Sequence, residues 1–141
     1  MIKNLSFFVA LGLLAKICFS QGSVYCTSNI NTTGAVATIS LQVNGTNGLA
    51  VLNNAPSNVT AQLICGISPM SNPFGNGMFC INPLAPIVRI GTISQTSQNG
   101  SANVLFNFSQ LPSAPIHYFQ WVYRDPTATG YTYNTSEAIL Y

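Results

Sequence analysis

Charged side chains are almost missing from this 141-residue sequence, which contains four Lys and Arg together and two Asp and Glu. Lys3 and Lys16 fall near the N-terminus. The rest of the chain carries only Arg89, Arg124, Asp125 and Glu137. Binding to nucleic acid through its phosphates requires clustered Lys and Arg, so this composition excludes it. A surface with near-zero net charge promotes association. We therefore expect a protein that sits against a partner or against copies of itself.

Metal ligands and catalytic groups are equally scarce. The cysteines and the single histidine lack the CxxC or HxxxH spacing of metal sites, so we expect neither a metal nor a cofactor. Cys65 and His117 are the one nucleophile and base pair that the sequence offers, and alternation points both towards the core. Asp125 directly follows Arg124 and precedes a proline, which favours a turn cap paired locally with that arginine. We predict that the protein is not an enzyme.

The first twenty residues have the layout of a secretory signal peptide. A basic start at Lys3, an apolar run over residues 5–17 and small residues before Gln21 predict a leader spanning residues 1–20. The apolar run is too short to predict a membrane span. A buried N-terminal helix and a lipid anchor on Cys18 are the alternatives. The expected mature chain, residues 21–141, has a size that suits a single domain.

Three cysteines remain after the predicted leader, namely Cys26, Cys65 and Cys80. An exported chain meets oxidising conditions, where one disulfide and one free thiol are expected from three cysteines. The spacing alone allows all three pairings.

The hydrophobic pattern has the two-residue period of β-strands, and no segment has helical spacing. Residues 117–126 hold the single Trp and several other large rings, which predicts a long central strand with His117, Phe119, Trp121 and Tyr123 on one face. A long loop is predicted over residues 68–77. Further strands are predicted over residues 24–27, 35–43, 49–52, 58–67, 78–81, 87–93, 102–109 and 137–141. The pattern predicts an all-β, antiparallel β-sandwich of jelly-roll or immunoglobulin-like type, with eight or nine strands.

Four short motifs resemble those of a β-rich domain in secreted bacterial surface proteins, where it often lies at the C-terminus of larger chains. The motifs are residues 25–34 (YCTSNINTTG), 77–81 (GMFCI), 119–125 (FQWVYRD) and 134–140 (NTSEAIL). The resemblance implies an exported β-domain with a disulfide and without an established activity. It also implies that Cys26 pairs with Cys80, because these two occupy the family's cysteine positions. Cys65 is then a buried free thiol.

The C-terminal strand leads to the first functional hypothesis. Its residues Ala138, Ile139, Leu140 and Tyr141 are apolar, without the Lys or Pro that normally blunts a sheet edge. We predict a secreted or cell-surface structural or adhesive subunit that associates with itself, or with other surface proteins, by strand addition at this edge.

The alternative function is that of a carbohydrate-binding module. Tyrosines are concentrated in the last quarter of the chain, and planar aromatic rings can pack against the apolar faces of sugars. In this interpretation Tyr131 and Tyr133 stack on the sugar, while Gln120 and Asn134 supply polar contacts. Aromatic pairs between neighbouring strands explain the same tyrosines without a ligand.

Overall fold

The computed structural model describes residues 21–127 and 129–141, and the predicted leader over residues 1–20 lies outside the described residues. The described chain contains ten β-strands and one 3-10 turn at Phe108–Gln110. The strands are β1 (Ser23–Cys26), β2 (Thr38–Asn44), β3 (Asn47–Asn53), β4 (Thr60–Gly66), β5 (Pro69–Phe74), β6 (Gly77–Ile81), β7 (Ile87–Gln95), β8 (Ala102–Asn107), β9 (Tyr118–Thr127) and β10 (Gly130–Leu140).

Two antiparallel sheets form a β-sandwich, and a hairpin adds a partial third layer. The larger sheet has five strands in the order β1-β10-β9-β4-β7, and the smaller has three in the order β2-β3-β8. Strands β5 and β6 pair only with each other and lie against β9 and β10 on the outer face of the larger sheet. This architecture confirms the predicted all-β antiparallel sandwich, with ten strands instead of eight or nine.

The core lies between the inner faces of the two sheets, where alternate residues of each strand are buried. Strand β9 is central, because β10 pairs with one of its sides and β4 with the other. Its Phe119, Trp121 and Tyr123 are at most 1% exposed, as the alternation predicted. The rings of Phe119 and Phe106, which belong to different sheets, have centroids 5.4 Å apart. The indole Nε1 of Trp121 is buried without a hydrogen-bond partner.

Two segments differ from the sequence-based prediction. The predicted loop over residues 68–77 contains β5, in which Pro69 and Pro73 are tolerated because the strand pairs on one side only. Strand β10 begins at Gly130 instead of residue 137. The first half of β10 was not predicted because it lacks the alternation of apolar and polar residues. Its residues Asn134, Thr135 and Ser136 are polar and yet fully buried.

The C-terminal segment is not a free edge, so the predicted association edge at Ala138–Tyr141 is wrong. The backbone of β10 pairs with β9 on one side and with β1 on the other. Ile139 lies opposite Val24 of β1, and Leu140 lies opposite Ser23. The short strand β1 therefore already occupies the position that an added strand would take.

The other margins of the sandwich differ in how they are protected. Gln21 joins the β1 and β2 margins, because its N–H donates to the Leu41 carbonyl and its Oε1 accepts from the Val43 N–H. On the opposite side, β7 and β8 each pair with a single strand among the described residues. The sandwich is thus bridged by hydrogen bonds on one side, whereas on the other side β7 and β8 lie against each other without pairing.

Candidate functional site

A buried polar network connects four distant parts of the chain, with Asp125 at its centre. The Asp125 carboxylate is fully buried. Its Oδ1 accepts from the Thr32 N–H at 3.0 Å and from the Thr32 hydroxyl at 2.5 Å. Its Oδ2 accepts from Asn134 Nδ2 at 3.1 Å and from Asn76 Nδ2 at 3.5 Å. Donors from β10, from the β5–β6 turn and from the loop after β1 therefore surround this carboxylate on β9.

The predicted local pairing of Asp125 with Arg124 is wrong. Successive side chains on a strand point to opposite faces, so the carboxylate is buried while the neighbouring guanidinium is exposed. Arg124 instead lies with its Cζ 5.8 Å from the centroid of the Tyr131 ring.

Gln120 and Asn134, the predicted polar ligand contacts, are fully buried and bonded within the protein. Gln120 Oε1 accepts from the Cys80 N–H at 2.9 Å, and its Nε2 donates to the Met78 carbonyl at 2.8 Å and to the Ser136 carbonyl at 2.9 Å. These bonds hold the β5–β6 hairpin against the larger sheet. The prediction that the two amides bind a sugar is therefore wrong, because no ligand reaches them.

The disulfide between Cys26 and Cys80 adds a covalent connection from the hairpin to β1, as the resemblance implied. The Tyr25 hydroxyl donates to the Cys80 carbonyl at 2.6 Å. Burial raises the pKa of Tyr25 above its usual range, and the neighbouring Tyr118 adds to the shift. Residues from all four sequence motifs thus meet where the hairpin docks.

Cys65 and His117 do not form a catalytic pair. Cys65 is a fully buried free cysteine, and burial raises the pKa of its thiol to about 12. Because the thiolate is the reactive form, the thiol is inert at neutral pH. The His117 Nε2 lies 2.8 Å from the Pro112 carbonyl, and no hydrogen bond joins His117 to Cys65. Across residues 21–127 and 129–141, no group of three metal-ligating side chains occurs.

An open groove of about 440 Å³ lies on the outer face of the larger sheet, between the hairpin and edge strand β7. Its floor is formed by β4 and β9, and its sides by the hairpin and β7. The side chains that define it are Gln62, Ile64 and Val122 on the floor, Phe74 and Phe79 on the hairpin side, Arg89 and Ile93 on the β7 side, and Arg124 and Tyr133 on β9 and β10. We call this site the outer groove.

The outer groove contains both arginines of the described chain. Neither guanidinium forms an ion pair or a hydrogen bond within residues 21–127 and 129–141. Of the predicted sugar-stacking residues, Tyr133 lines this groove and is 49% exposed, and Tyr131 lies beside Arg124 and is 67% exposed. Sequence reasoning missed the groove because it did not predict the hairpin that forms one of its sides.

No protein-family model matches the chain, and neither the curated proteins nor the solved structures contain a match. The resemblance to surface domains of secreted bacterial proteins therefore stays a prediction. No helix within the described residues is long and apolar enough to span a membrane.

Proposed function

We propose that this protein is a secreted or cell-surface structural or adhesive subunit that self-associates through edge strand β8. One observation carries the proposal. Strand β8 pairs with β3 over its whole length in an unbroken register, and no strand of the described chain pairs with its other side. The sequence of β8, ANVLFN, contains no charge and no proline, and Leu105 within it is 75% exposed. An uncharged edge without a bulge favours pairing with another strand.

The other margins are less suited to this role. Strand β7 carries Arg89, and its pairing with β4 is interrupted by a bulge between Ser94 and Ile90. Gly91 within the bulge has a φ of +68°. Bulges and charged side chains are the devices that discourage edge pairing. The β1 and β2 margins are bridged through Gln21.

Pairing between two copies of β8 accounts for the apolar side chains of Leu49, Val51 and Leu105 on an outer face that otherwise carries uncharged polar residues. Leu105 lies opposite Leu49 of β3, on a face that carries no charged side chain. An antiparallel β8–β8 contact joins the two smaller sheets into one and brings these leucine rows together across a two-fold axis. The scarcity of charge removes the electrostatic repulsion that keeps most proteins apart.

The proposed location has two supports. The composition of residues 1–20 is typical of a leader for export. The Cys26–Cys80 disulfide fits an oxidising compartment.

Substitution of Leu105 by Lys tests the proposed association edge. Lysine on an edge strand opposes pairing, because two copies meet with like charges that would have to be desolvated. We expect the chain from Gln21 onwards to grow in mass with concentration in light scattering, and the Leu105→Lys variant to remain monomeric. Leu84→Lys is the matched control, because Leu84 is 92% exposed in the loop between β6 and β7. Association by Leu105→Lys equal to that of Leu84→Lys would contradict the proposal.

A further inference from the structure

The outer groove contains both arginines of the described chain and no acidic side chain to neutralise them. Arg89 extends from β7 and Arg124 from β9, so the two guanidinium groups approach the groove from the two strands that flank β4. Asp125 is buried in its own network, and Glu137 does not line the groove. A planar guanidinium with five donors is the side chain best suited to binding a carboxylate or sulfate. Charge complementarity therefore selects an anionic occupant from outside the chain, because a second copy has too few accessible acidic groups.

The dimensions restrict the shape of that occupant. The strands that flank β4 are about 10 Å apart, since neighbouring strands are separated by about 4.8 Å. These two strands carry Arg124 and Arg89, so an occupant that meets both guanidinium groups has to span at least this distance across β4. One extended chain or one row of rings can do so. The groove is open to solvent along its length, so a fatty-acyl chain bound there would remain exposed.

The lining distinguishes a sugar from a peptide. The floor presents the aliphatic side chains of Ile64 and Val122, with Phe74 and Tyr133 half-exposed at the side. The unpaired backbone groups of β7 lie in the plane of the sheet and do not point into the groove. A peptide on this floor therefore gains no backbone hydrogen bond from the protein, because its amides can bond only to water in the open groove. A sugar ring places its C–H face on the aromatic rings and turns its hydroxyls to water.

We propose that the outer groove binds a segment of an acidic glycan, whose carboxylates pair with Arg89 and Arg124 and whose ring packs against Phe74 and Tyr133. This site lies on the outer face of the opposite sheet from β8, so the proposal does not rest on association through that strand.

Calorimetric titration with tetragalacturonate tests the proposal, with fully methyl-esterified tetragalacturonate as the matched neutral probe. We expect the acid to bind and its affinity to fall as salt is raised, because exposed charges are screened. Loss of a charge-assisted hydrogen bond weakens binding about tenfold or more. The methyl ester, Arg89→Gln and Arg124→Gln should each show a loss of this size. Both arginines are exposed, so these variants should melt at the wild-type temperature.

The Leu105→Lys variant separates this inference from the proposed association. It should bind tetragalacturonate with wild-type affinity whether or not it self-associates. Equal binding of the acid and its methyl ester would overturn the acidic-glycan assignment, as would unchanged affinity in both arginine variants. Tighter binding of oligoglutamate than of tetragalacturonate would overturn it in favour of an acidic peptide. A lack of binding to uronate, sialylated and sulfated oligosaccharides alike would also overturn it.

Discussion

At the scale of single residues, burial separates side chains that look equivalent in the sequence. Asp125 and Glu137 are the only carboxylates beyond the predicted leader, yet Asp125 is fully buried and Glu137 is half-buried. The Asp125 carboxylate is stabilised by hydrogen-bond donors and not by a neighbouring cation. A buried polar group of this kind is costly unless every partner is retained. We therefore assign Asp125 a structural role.

Asp125→Asn is expected to lower the free energy of unfolding by about 2 kcal/mol. The new amide N–H₂ faces the donors of Thr32 or Asn134 and cannot accept hydrogen bonds from them. Urea denaturation followed through the fluorescence of Trp121, the single Trp, measures the change. Glu137→Gln makes the same chemical change at a carboxylate with no side-chain hydrogen bond, and should alter stability by less than about 0.5 kcal/mol. Equal effects in the two variants would contradict the network.

The sequence correctly predicted the disulfide pairing or burial of some residues and wrongly predicted the exposure of others. The family resemblance led to the correct Cys26–Cys80 pair, and alternation led to the buried Cys65. Gln120 and Asn134 were misassigned because an amide in the sequence suggests an exposed polar group. Met78, a partner of Gln120, and Ser28, a partner of Asn134, lie 42 and 106 residues away, so only the folded structure reveals that the amides are satisfied inside.

At the scale of elements, regular alternation of apolar and polar residues was enough to predict a strand. Strands without that alternation were missed. Strands with apolar residues on one face, such as β2 and β9, were found from their period alone. Strand β5 was hidden by its prolines and exposed side chains, and the first half of β10 by its buried polar residues. The outer groove depends on how the β5–β6 hairpin folds over the sheet, which no local pattern encodes.

At this scale, we predict that Gln120 holds the β5–β6 hairpin against the larger sheet. Gln120→Leu preserves the size of the side chain but removes the partner of the buried Cys80 N–H and of the Ser136 carbonyl, while the Met78 carbonyl keeps its bond from the Thr135 hydroxyl. We expect a loss of about 2–4 kcal/mol in the free energy of unfolding, since each buried unsatisfied group costs about 1–3 kcal/mol. The disulfide should also be reduced faster, because the hairpin opens more often.

Gln42→Leu is the matched control for this variant. Gln42 is half-buried on the outer face of β2 and makes no side-chain hydrogen bond. Its replacement should leave both stability and the rate of disulfide reduction close to wild type. If Gln120→Leu behaved like Gln42→Leu, the amide would not be what holds the hairpin.

At the scale of the whole molecule, Asp125 is buried, both arginines lie on the outer surface of the larger sheet, and Glu137 is half-buried on β10. The smaller sheet, which contains the open strand β8, has no charged side chain in any strand. The larger sheet carries both arginines in the outer groove. The proposed association uses an edge of the smaller sheet, whereas the proposed glycan site lies on the outer face of the larger sheet.

Hydrogen–deuterium exchange of the wild-type chain at low and high concentration tests the central claim most directly. Amides in a newly paired strand become protected, whereas amides already paired within one molecule do not change. We predict that protection rises with concentration over Ala102–Asn107 and stays constant over Gly130–Leu140, where β1 and β9 already pair with β10. Unchanged exchange of β8 in an associated sample, or protection that rises elsewhere instead, would contradict association through this edge.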